Sequence, residues 1–118
     1  MKIKISTPLF PTEDSEKIKN SLDNIFNTEF KIKKKEIYCE SNNIEILSNL
    51  KEKILSSRIK NTVAFLIEEN KKENSSKFCL NKQTAIAGKI HFVEEEYPLG
   101  NITVEFDEAE KIEEFLLI

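Results

Sequence analysis

The chain contains only two glycines, Gly88 and Gly100, among its 118 residues. Loops that cradle a phosphate need several glycines, because the backbone must approach the ligand closely. A dinucleotide-binding fingerprint and a P-loop are therefore excluded. The glycine-flanked serine turn of acyl-transfer enzymes is excluded for the same reason.

Histidine and cysteine are equally scarce, with one histidine, His91, and two cysteines, Cys39 and Cys79. A general base needs a positioned partner, and no nucleophile stands near His91, so we expect a partly exposed sheet residue. The cysteines have no CxxC partner, and we expect two reduced thiols, at least one of them buried. No metal or cofactor is expected, since the acidic run at 94–96 lacks the alternating oxygen ligands of a calcium loop.

Long apolar runs are also absent. No segment approaches the roughly 20 apolar residues of a membrane-spanning helix, and the first ten residues, MKIKISTPLF, lack the apolar core of a signal peptide. We therefore expect a soluble, cytoplasmic protein without a membrane partner. The length of 118 residues and the 39% hydrophobic content predict a single domain over residues 1–118.

A net positive charge is lacking, because 18 Lys and Arg stand against 21 Asp and Glu. A domain that binds nucleic acid through bulk charge is basic overall, so this mode of binding is not expected. The charge is uneven, however. Residues 1–60 carry twelve basic and nine acidic residues, whereas residues 61–118 carry six and twelve. A local basic patch in the first half therefore stays open.

Apolar periodicity predicts an α+β fold in the order β-α-β-α-β-β-β-α, with an antiparallel sheet and helices packed on one face. The predicted strands are residues 2–9, 30–40 with a break or bulge at 33–35, 61–67, 86–92 and 102–106. The predicted helices are residues 12–26, 44–57 and 107–118. Predicted caps are Thr12, the cluster at 41–43, and Asp107 with Glu110 as its capping-box partner.

The segment NTVAFLI at 61–67 is ambiguous, because a short apolar run fits a strand and a buried helix equally. Its Thr, Val, Phe and Ile favour a strand, and we interpret it as a buried strand. The polar stretch EENKKENSSK follows it. This stretch predicts an exposed hairpin insertion at about residues 68–79, with pairing resumed at 78–80.

The sequence has one dense basic cluster, made of Lys31, Lys33, Lys34 and Lys35. Such a cluster can contact a phosphate backbone. It equally suits a solvated loop that protects a sheet edge from pairing, and both interpretations stay open. Arg58 and Lys60 are weaker candidates, because basic side chains at the end of a helix also compensate its dipole. Tyr38 is the nearest aromatic residue for stacking on a base.

Three stretches of the sequence occur together in a known family. They are PTED at 11–14, NTVAF at 61–65, and NKQTA at 81–85, continuing through Gly88, Ile90 and Phe92 to PLG at 98–100 and Ile102. On these residues the chain resembles a small archaeal family labelled RNA-binding or predicted to associate with the exosome. The resemblance implies an antiparallel α/β domain similar to the ribosomal protein that holds 5S RNA, and it favours a strand at 61–67. It also implies that Lys82 and Gln83 are either a binding pair or residues that stabilise the sheet.

Two functions follow from these observations. The first is a non-catalytic RNA-binding or RNA-processing accessory protein. Its candidate contact residues are Lys31, Lys33, Lys34, Lys35, Arg58, Lys60, Lys82 and Gln83. The alternative is a homodimeric protein-interaction or structural domain without a nucleic-acid role, indicated by the acidic second half and the apolar C-terminal FLLI at 115–118. An enzyme assembled from distant carboxylates is the least expected class.

Overall fold

The computed structural model describes residues 1–95 and 97–118. Within these ranges the chain forms six strands, five α-helices and one turn of 3₁₀ helix at Ile44–Leu47. The strands are β1 (Ile3–Pro8), β2 (Lys31–Lys33), β3 (Glu36–Ser41), β4 (Ser76–Asn81), β5 (Phe92–Val93) and β6 (Asn101–Phe106). The helices are α1 (Ser15–Ile25), α2 (Ser48–Ser57), α3 (Lys60–Glu69), α4 (Lys82–Ile86) and α5 (Ala109–Leu117).

The strands form one antiparallel sheet in the order β2-β3-β1-β6-β4-β5. The predicted α+β class and antiparallel sheet are confirmed. Alternate residues of the strands, such as Ile5 and Val104, are buried in one core with Leu22, Leu50 and Ile112 of the helices. The helices therefore pack on one face of the sheet. The opposite face, which carries the remaining strand residues, is called the outer face below.

Of the break or bulge predicted at residues 33–35, the structure shows a break, which separates two strands of a hairpin. Ile32 pairs with Ile37 and Lys33 with Glu36, so two residues, Lys34 and Lys35, form the turn between β2 and β3. The residues that face the core side are even-numbered in β2, as at Ile32, and odd-numbered in β3, as at Ile37, because the two halves are separate antiparallel strands.

The strand predicted at residues 61–67 is wrong, because this segment lies in α3. The side chains of Val63, Leu66 and Ile67 are buried, whereas Phe65 is 55% exposed. With half-buried Ile59, the buried residues recur at i, i+4, i+7 and i+8, which is the spacing of one helix face. Ile59 lies outside the apolar run, and for that reason the run alone does not reveal the period.

Because residues 61–67 are helical, the segment at 68–79 is not the predicted hairpin. Because α3 reaches Glu69 and β4 begins at Ser76, the connection joins a helix to a strand. Its turn is closed by paired backbone hydrogen bonds between Lys72 and Ser75. Residues 78–80 do lie in a strand, β4, but they pair with β5 and β6 and not with residues 61–67.

The strand predicted at residues 86–92 is wrong over most of its length. α4 ends at Ile86, residues 87–91 form a turn followed by irregular chain, and only Phe92 and Val93 pair with β4. Asn81 begins this helix, since its side chain accepts a hydrogen bond of 2.9 Å from the Thr84 N–H. An Asn cap directly after a strand therefore turns the chain into a helix.

Gly88 ends α4 in a left-handed conformation with φ +82°. Its N–H donates to the carbonyl of Ala85, and the N–H of Lys89 donates to the carbonyl of Thr84. This pair of bonds is the Schellman arrangement of helix ends. Gly88 therefore follows the C-cap residue Ala87 and terminates a helix, and it does not lie in the predicted strand.

Two of the predicted helix caps are also corrected. Asp14, not Thr12, caps α1 by accepting from the N–H groups of Glu16 and Lys17. Asp107 does not cap α5; its Oδ1 accepts a bond of 2.6 Å from the N–H of Lys2, and the capping position falls on Glu108. The cap cluster at 41–43 is confirmed, because the Asn43 side chain accepts from the Glu45 N–H.

Candidate nucleic-acid interface

The β2–β3 hairpin brings the four predicted lysines to one edge of the sheet. Lys31 lies opposite Tyr38 and Lys33 lies opposite Glu36, whereas Ile32 lies opposite buried Ile37. Because side chains alternate along a strand, Lys31 and Lys33 point to the outer face together with Tyr38. Both lysines are exposed.

Lys33 and Tyr38 are in direct contact on this face. The Nζ atom of Lys33 lies 4.5 Å from the centroid of the Tyr38 ring. This is a cation–π distance. A half-buried aromatic ring beside an ammonium group is an arrangement that can stack a nucleic-acid base and pair with its phosphate.

The hairpin turn is attached to the connection between β1 and α1. The N–H of Leu9 donates a 2.8 Å hydrogen bond to the carbonyl of Lys35. The side chains of Lys34 and Lys35 line an open groove of about 750 Å³ together with Phe10 and Glu13. Phe10 is 37% exposed. All four clustered lysines are therefore accessible at a single edge, next to two aromatic side chains.

Lys82, the last of the six predicted lysines, is placed quite differently. Its side chain is 1% exposed, and its ammonium group lies 3.0 Å from Oε1 and 3.2 Å from Oε2 of Glu13. The same group donates to the carbonyl oxygens of Pro8 at 2.6 Å and Leu99 at 2.5 Å. An ammonium group has three donors, and these acceptors occupy them all.

The contacts of Lys82 support the second of its two implied roles, a residue that stabilises the fold. They do not place it on an exposed cationic surface, so we remove it from the nucleic-acid interface. Glu13 is the partner of Lys82, and the sequence did not reveal it. Lys82 thereby connects PTED at 11–14, NKQTA at 81–85 and PLG at 98–100.

The remaining candidates lie apart from the hairpin. Arg58 follows α2 in a left-handed conformation and Lys60 begins α3, so both belong to the helical layer on the other side of the sheet. Gln83 is exposed at the start of α4, beside a small groove of about 190 Å³. The structure does not bring these three side chains together with Lys31 and Lys33.

A second group of basic residues was missed from the sequence. Four lysines line one groove of about 450 Å³ at the opposite end of the outer face: Lys2, Lys4, Lys72 and Lys77. The acidic residues in the same lining are Glu105 and Asp107. We call this the lysine groove. The sequence contains one sign of the lysine groove, which is that Lys2 and Lys4 alternate with apolar residues along β1. Lys77 joins this groove only because β1, β6 and β4 pair side by side.

Other chemistry is limited in the part of the chain that the structure describes. Residues 1–95 and 97–118 contain no group of three or more His, Cys, Asp and Glu side chains able to hold a metal ion. Over the same residues, no helix combines the length and apolar content needed to cross a membrane. Cys39 is buried and Cys79 half-buried, both as free thiols. His91 is exposed, one residue before β5.

Comparison with known proteins agrees with the resemblance carried by the sequence. A family model described as "RNA binding" matches residues 2–107. The chain is 32% identical over 124 residues to a UPF0201 protein of Sulfurisphaera tokodaii, covering 98% of this chain and 86% of that protein. The chain belongs to the UPF0201 family. A UPF0201 protein of Methanothermobacter thermautotrophicus is 30% identical over 113 residues, covering 90% of this chain and 81% of that protein.

The solved structures of UPF0201 proteins share this fold. The crystal structure of the UPF0201 protein from Methanococcus jannaschii superposes with a TM-score of 0.82 at 27% identity, covering 100% of both chains. The predicted membership of an archaeal family labelled RNA-binding is thus confirmed. The exosome association and the likeness to the 5S-RNA-binding ribosomal protein stay predictions of the resemblance.

Proposed function

We propose that this UPF0201 protein is a non-catalytic RNA-binding protein that assists RNA processing, and that the β2–β3 hairpin makes its first contacts with phosphate groups. One observation carries the proposal. The hairpin exposes Lys31, Lys33, Lys34 and Lys35 at one edge of the sheet, next to the ring of Tyr38. The description of the matching family model, "RNA binding", supports the same function.

The charge distribution supports a local rather than a global mode of binding. The chain has a net charge of −3, so RNA is repelled by the molecule as a whole. The hairpin therefore has to supply attraction at short range and orient the approach. Contacts of this kind release counterions from the phosphate backbone, and the affinity should fall steeply as salt is added.

The test compares the wild-type protein with the Lys33→Gln/Lys34→Gln/Lys35→Gln variant. Fluorescence anisotropy with a labelled single-stranded RNA and with a structured RNA measures Kd over a series of salt concentrations. We expect the variant to lose about tenfold or more in affinity at low salt. The slope of log K against log salt should fall in magnitude by about 2, because each lost phosphate contact on a single strand removes about 0.7.

A matched control removes the same charge elsewhere. Lys17→Gln/Lys53→Gln/Lys89→Gln changes three lysines that line none of the grooves described above. This control should stay within about twofold of the wild type, which is well below the tenfold loss expected from missing phosphate contacts. An equal loss in both variants would show bulk attraction and contradict the hairpin site. No binding by the wild type at low salt would contradict the function itself.

The homodimeric alternative is favoured by exposed apolar side chains on the helices. Leu55 is 59% exposed and Ile118 is 83% exposed. Leu116, however, is buried within the monomer, so the C-terminal FLLI needs only partial cover from a neighbour. Light scattering from micromolar to millimolar protein tests the alternative. A monomer throughout this range would exclude the dimer.

A further inference from the structure

A row of small side chains crosses the middle of the outer face. The strand registers place Tyr38 opposite Ser6, Ser6 opposite Thr103, and Thr103 opposite Cys79. These side chains are half-buried, and the Cys79 Sγ lies 3.7 Å from the Thr103 Oγ1. Beyond Tyr38 the row thus presents no bulky or charged group over β1, β6 and β4. We call it the central row.

The lysine groove lies along one side of this row. The next residues of the same strands, Glu40, Lys4, Glu105 and Lys77, form a parallel row of alternating charge. Lys72, from the turn before β4, and Lys2 add two positive charges to the groove. With Glu105 and Asp107 as its acidic lining, the groove keeps a positive excess in a chain that is acidic overall.

The hairpin and the lysine groove therefore face the same side of the sheet from opposite ends. The strand order places three strand spacings between Tyr38 on β3 and Lys77 on β4. At about 4.8 Å per spacing this is about 14 Å, which is more than one phosphate group can bridge. Lys4 lies on β1, the strand next to Tyr38, so a ligand that reaches from Tyr38 past Lys4 to Lys77 must be an extended polyanion.

We propose that the outer face binds a single-stranded segment of RNA that runs across the strands, from Tyr38 to the lysine groove. One base stacks on Tyr38, the following bases lie over the central row, and phosphate groups contact Lys4, Lys72 and Lys77. This inference rests on the proposed RNA-binding function and adds the ligand class and the path. A single strand fits because its unstacked bases can lie on an aromatic ring, whereas a duplex keeps its bases stacked inside.

Charge complementarity favours RNA over a second copy of the chain as the occupant. A two-fold axis that covered the outer face would place the hairpin lysines or the lysine groove against a lysine-rich zone of the other copy. Like charges brought together across an interface oppose association. A polyanion instead meets positive charge at both ends of its path.

The first test uses the Lys4→Gln/Lys72→Gln/Lys77→Gln variant and oligouridylates of about 4 to about 16 nucleotides, the range of site sizes in single-strand-binding folds. On the longest oligonucleotide we expect a loss of about tenfold or more in affinity and a salt slope smaller by about 2. A uridine dinucleotide should change by less than about twofold, because its single phosphate group cannot bridge the distance of about 14 Å between Tyr38 and Lys77. The Lys17→Gln/Lys53→Gln/Lys89→Gln variant is again the charge-matched control.

The second test addresses stacking. Tyr38→Leu should weaken binding of the longest oligouridylate about fivefold or more, whereas Tyr38→Phe keeps the ring and should restore the affinity. The same RNA annealed to its complement should bind at least about tenfold more weakly than the single strand. Urea unfolding of each variant checks that the fold is retained.

The outcomes separate this inference from the proposed function. If the hairpin variant loses affinity while the lysine-groove variant equals its control at every length, the path across the sheet is overturned and RNA binding stands. Equal affinity for duplex and single strand also overturns the path. Absence of all RNA binding overturns both proposals. A dimer that dissociates when Thr103→Arg is introduced would show that a second copy covers the outer face, which again overturns the path.

Discussion

The Nζ atom of Lys82 lies 3.0 Å from Oε1 of Glu13, although the two residues are 69 positions apart in the chain. Both side chains are almost fully buried, with 1% and 6% exposure. The ammonium group also holds the carbonyls of Pro8 and Leu99. A single buried charge pair thus joins the connection after β1, the turn before β6 and the start of α4.

Lys82→Met should therefore destabilise the protein strongly. The substitution keeps the length of the side chain but leaves the Glu13 carboxylate buried without its partner. Breaking a buried pair in this way costs about 3–5 kcal/mol of unfolding free energy. Urea denaturation followed by circular dichroism measures the loss.

The neighbouring Gln83→Met is the control, since Gln83 is exposed and its replacement should change the stability by less than about 0.5 kcal/mol. The Glu13→Gln/Lys82→Met double variant removes both charges and should recover part of the stability. A loss below about 1 kcal/mol for Lys82→Met would contradict a structural role for the pair.

Gly100→Ala should destabilise the protein more than Gly88→Ala. Both glycines have left-handed backbones, with φ of +81° and +82°, and alanine in this region costs about 1–2 kcal/mol. A Cβ atom at Gly100 would also lie 2.3 Å from Cγ of Pro8, whereas at Gly88 it would meet nothing within 4 Å.

The clash at residue 100 should add about 1–3 kcal/mol to the backbone cost. Thermal and urea unfolding of the two alanine variants measure the difference directly. Equal losses would mean that Pro8 moves aside without an energetic consequence.

A pair of variants in α3 distinguishes the helix from the strand predicted at 61–67. Leu66→Ala removes a buried side chain and should cost about 2–5 kcal/mol. Phe65→Ala removes an exposed one and should cost less than about 1 kcal/mol. In a strand, Phe65 would share its face with Val63 and the order would reverse. Urea unfolding of both variants decides between the two.

Glu108 should make stability depend on pH at the acid end. Hydrogen bonds from the Met1 ammonium at 2.7 Å and from Lys111 at 2.9 Å lower the pKa of its carboxyl from 4.5 to about 2. Because this pKa is lower in the folded state than in the unfolded state, the ionised Glu108 carboxylate stabilises the fold at any pH above 4.5. This stabilisation disappears as the pH falls from 4.5 toward about 2.

Glu108→Gln should therefore be less stable than the wild type at neutral pH, and the two unfolding curves should converge between pH 4.5 and about 2. Glu110→Gln is the matched control on the same exposed helix turn, because Glu110 forms no ion pair within the described residues. A gap for Glu108→Gln that stays constant down to pH 2 would contradict the ion pairs.

The helices and strands differ in how clearly their own residues predict them. β1, β6 and α1 follow simple periods of alternation or of helical spacing, and they lie where those periods predict. The segments at 61–67 and 86–92 were misassigned because the residues that decide their structure do not belong to the apolar pattern itself. Ile59 completes the helical stripe of α3, and Asn81 with Gly88 delimits α4.

The sequence by itself determined the α+β class, the buried stripes of most elements and the basic cluster at 31–35, because alternation, helical period and turn residues act over a few neighbours. Tertiary structure alone decided that Lys82 is enclosed with Glu13 and that Lys4, Lys72 and Lys77 share one groove. These arrangements depend on strand order and on desolvation by distant segments. Their free energies arise only when residues far apart in the chain are brought together.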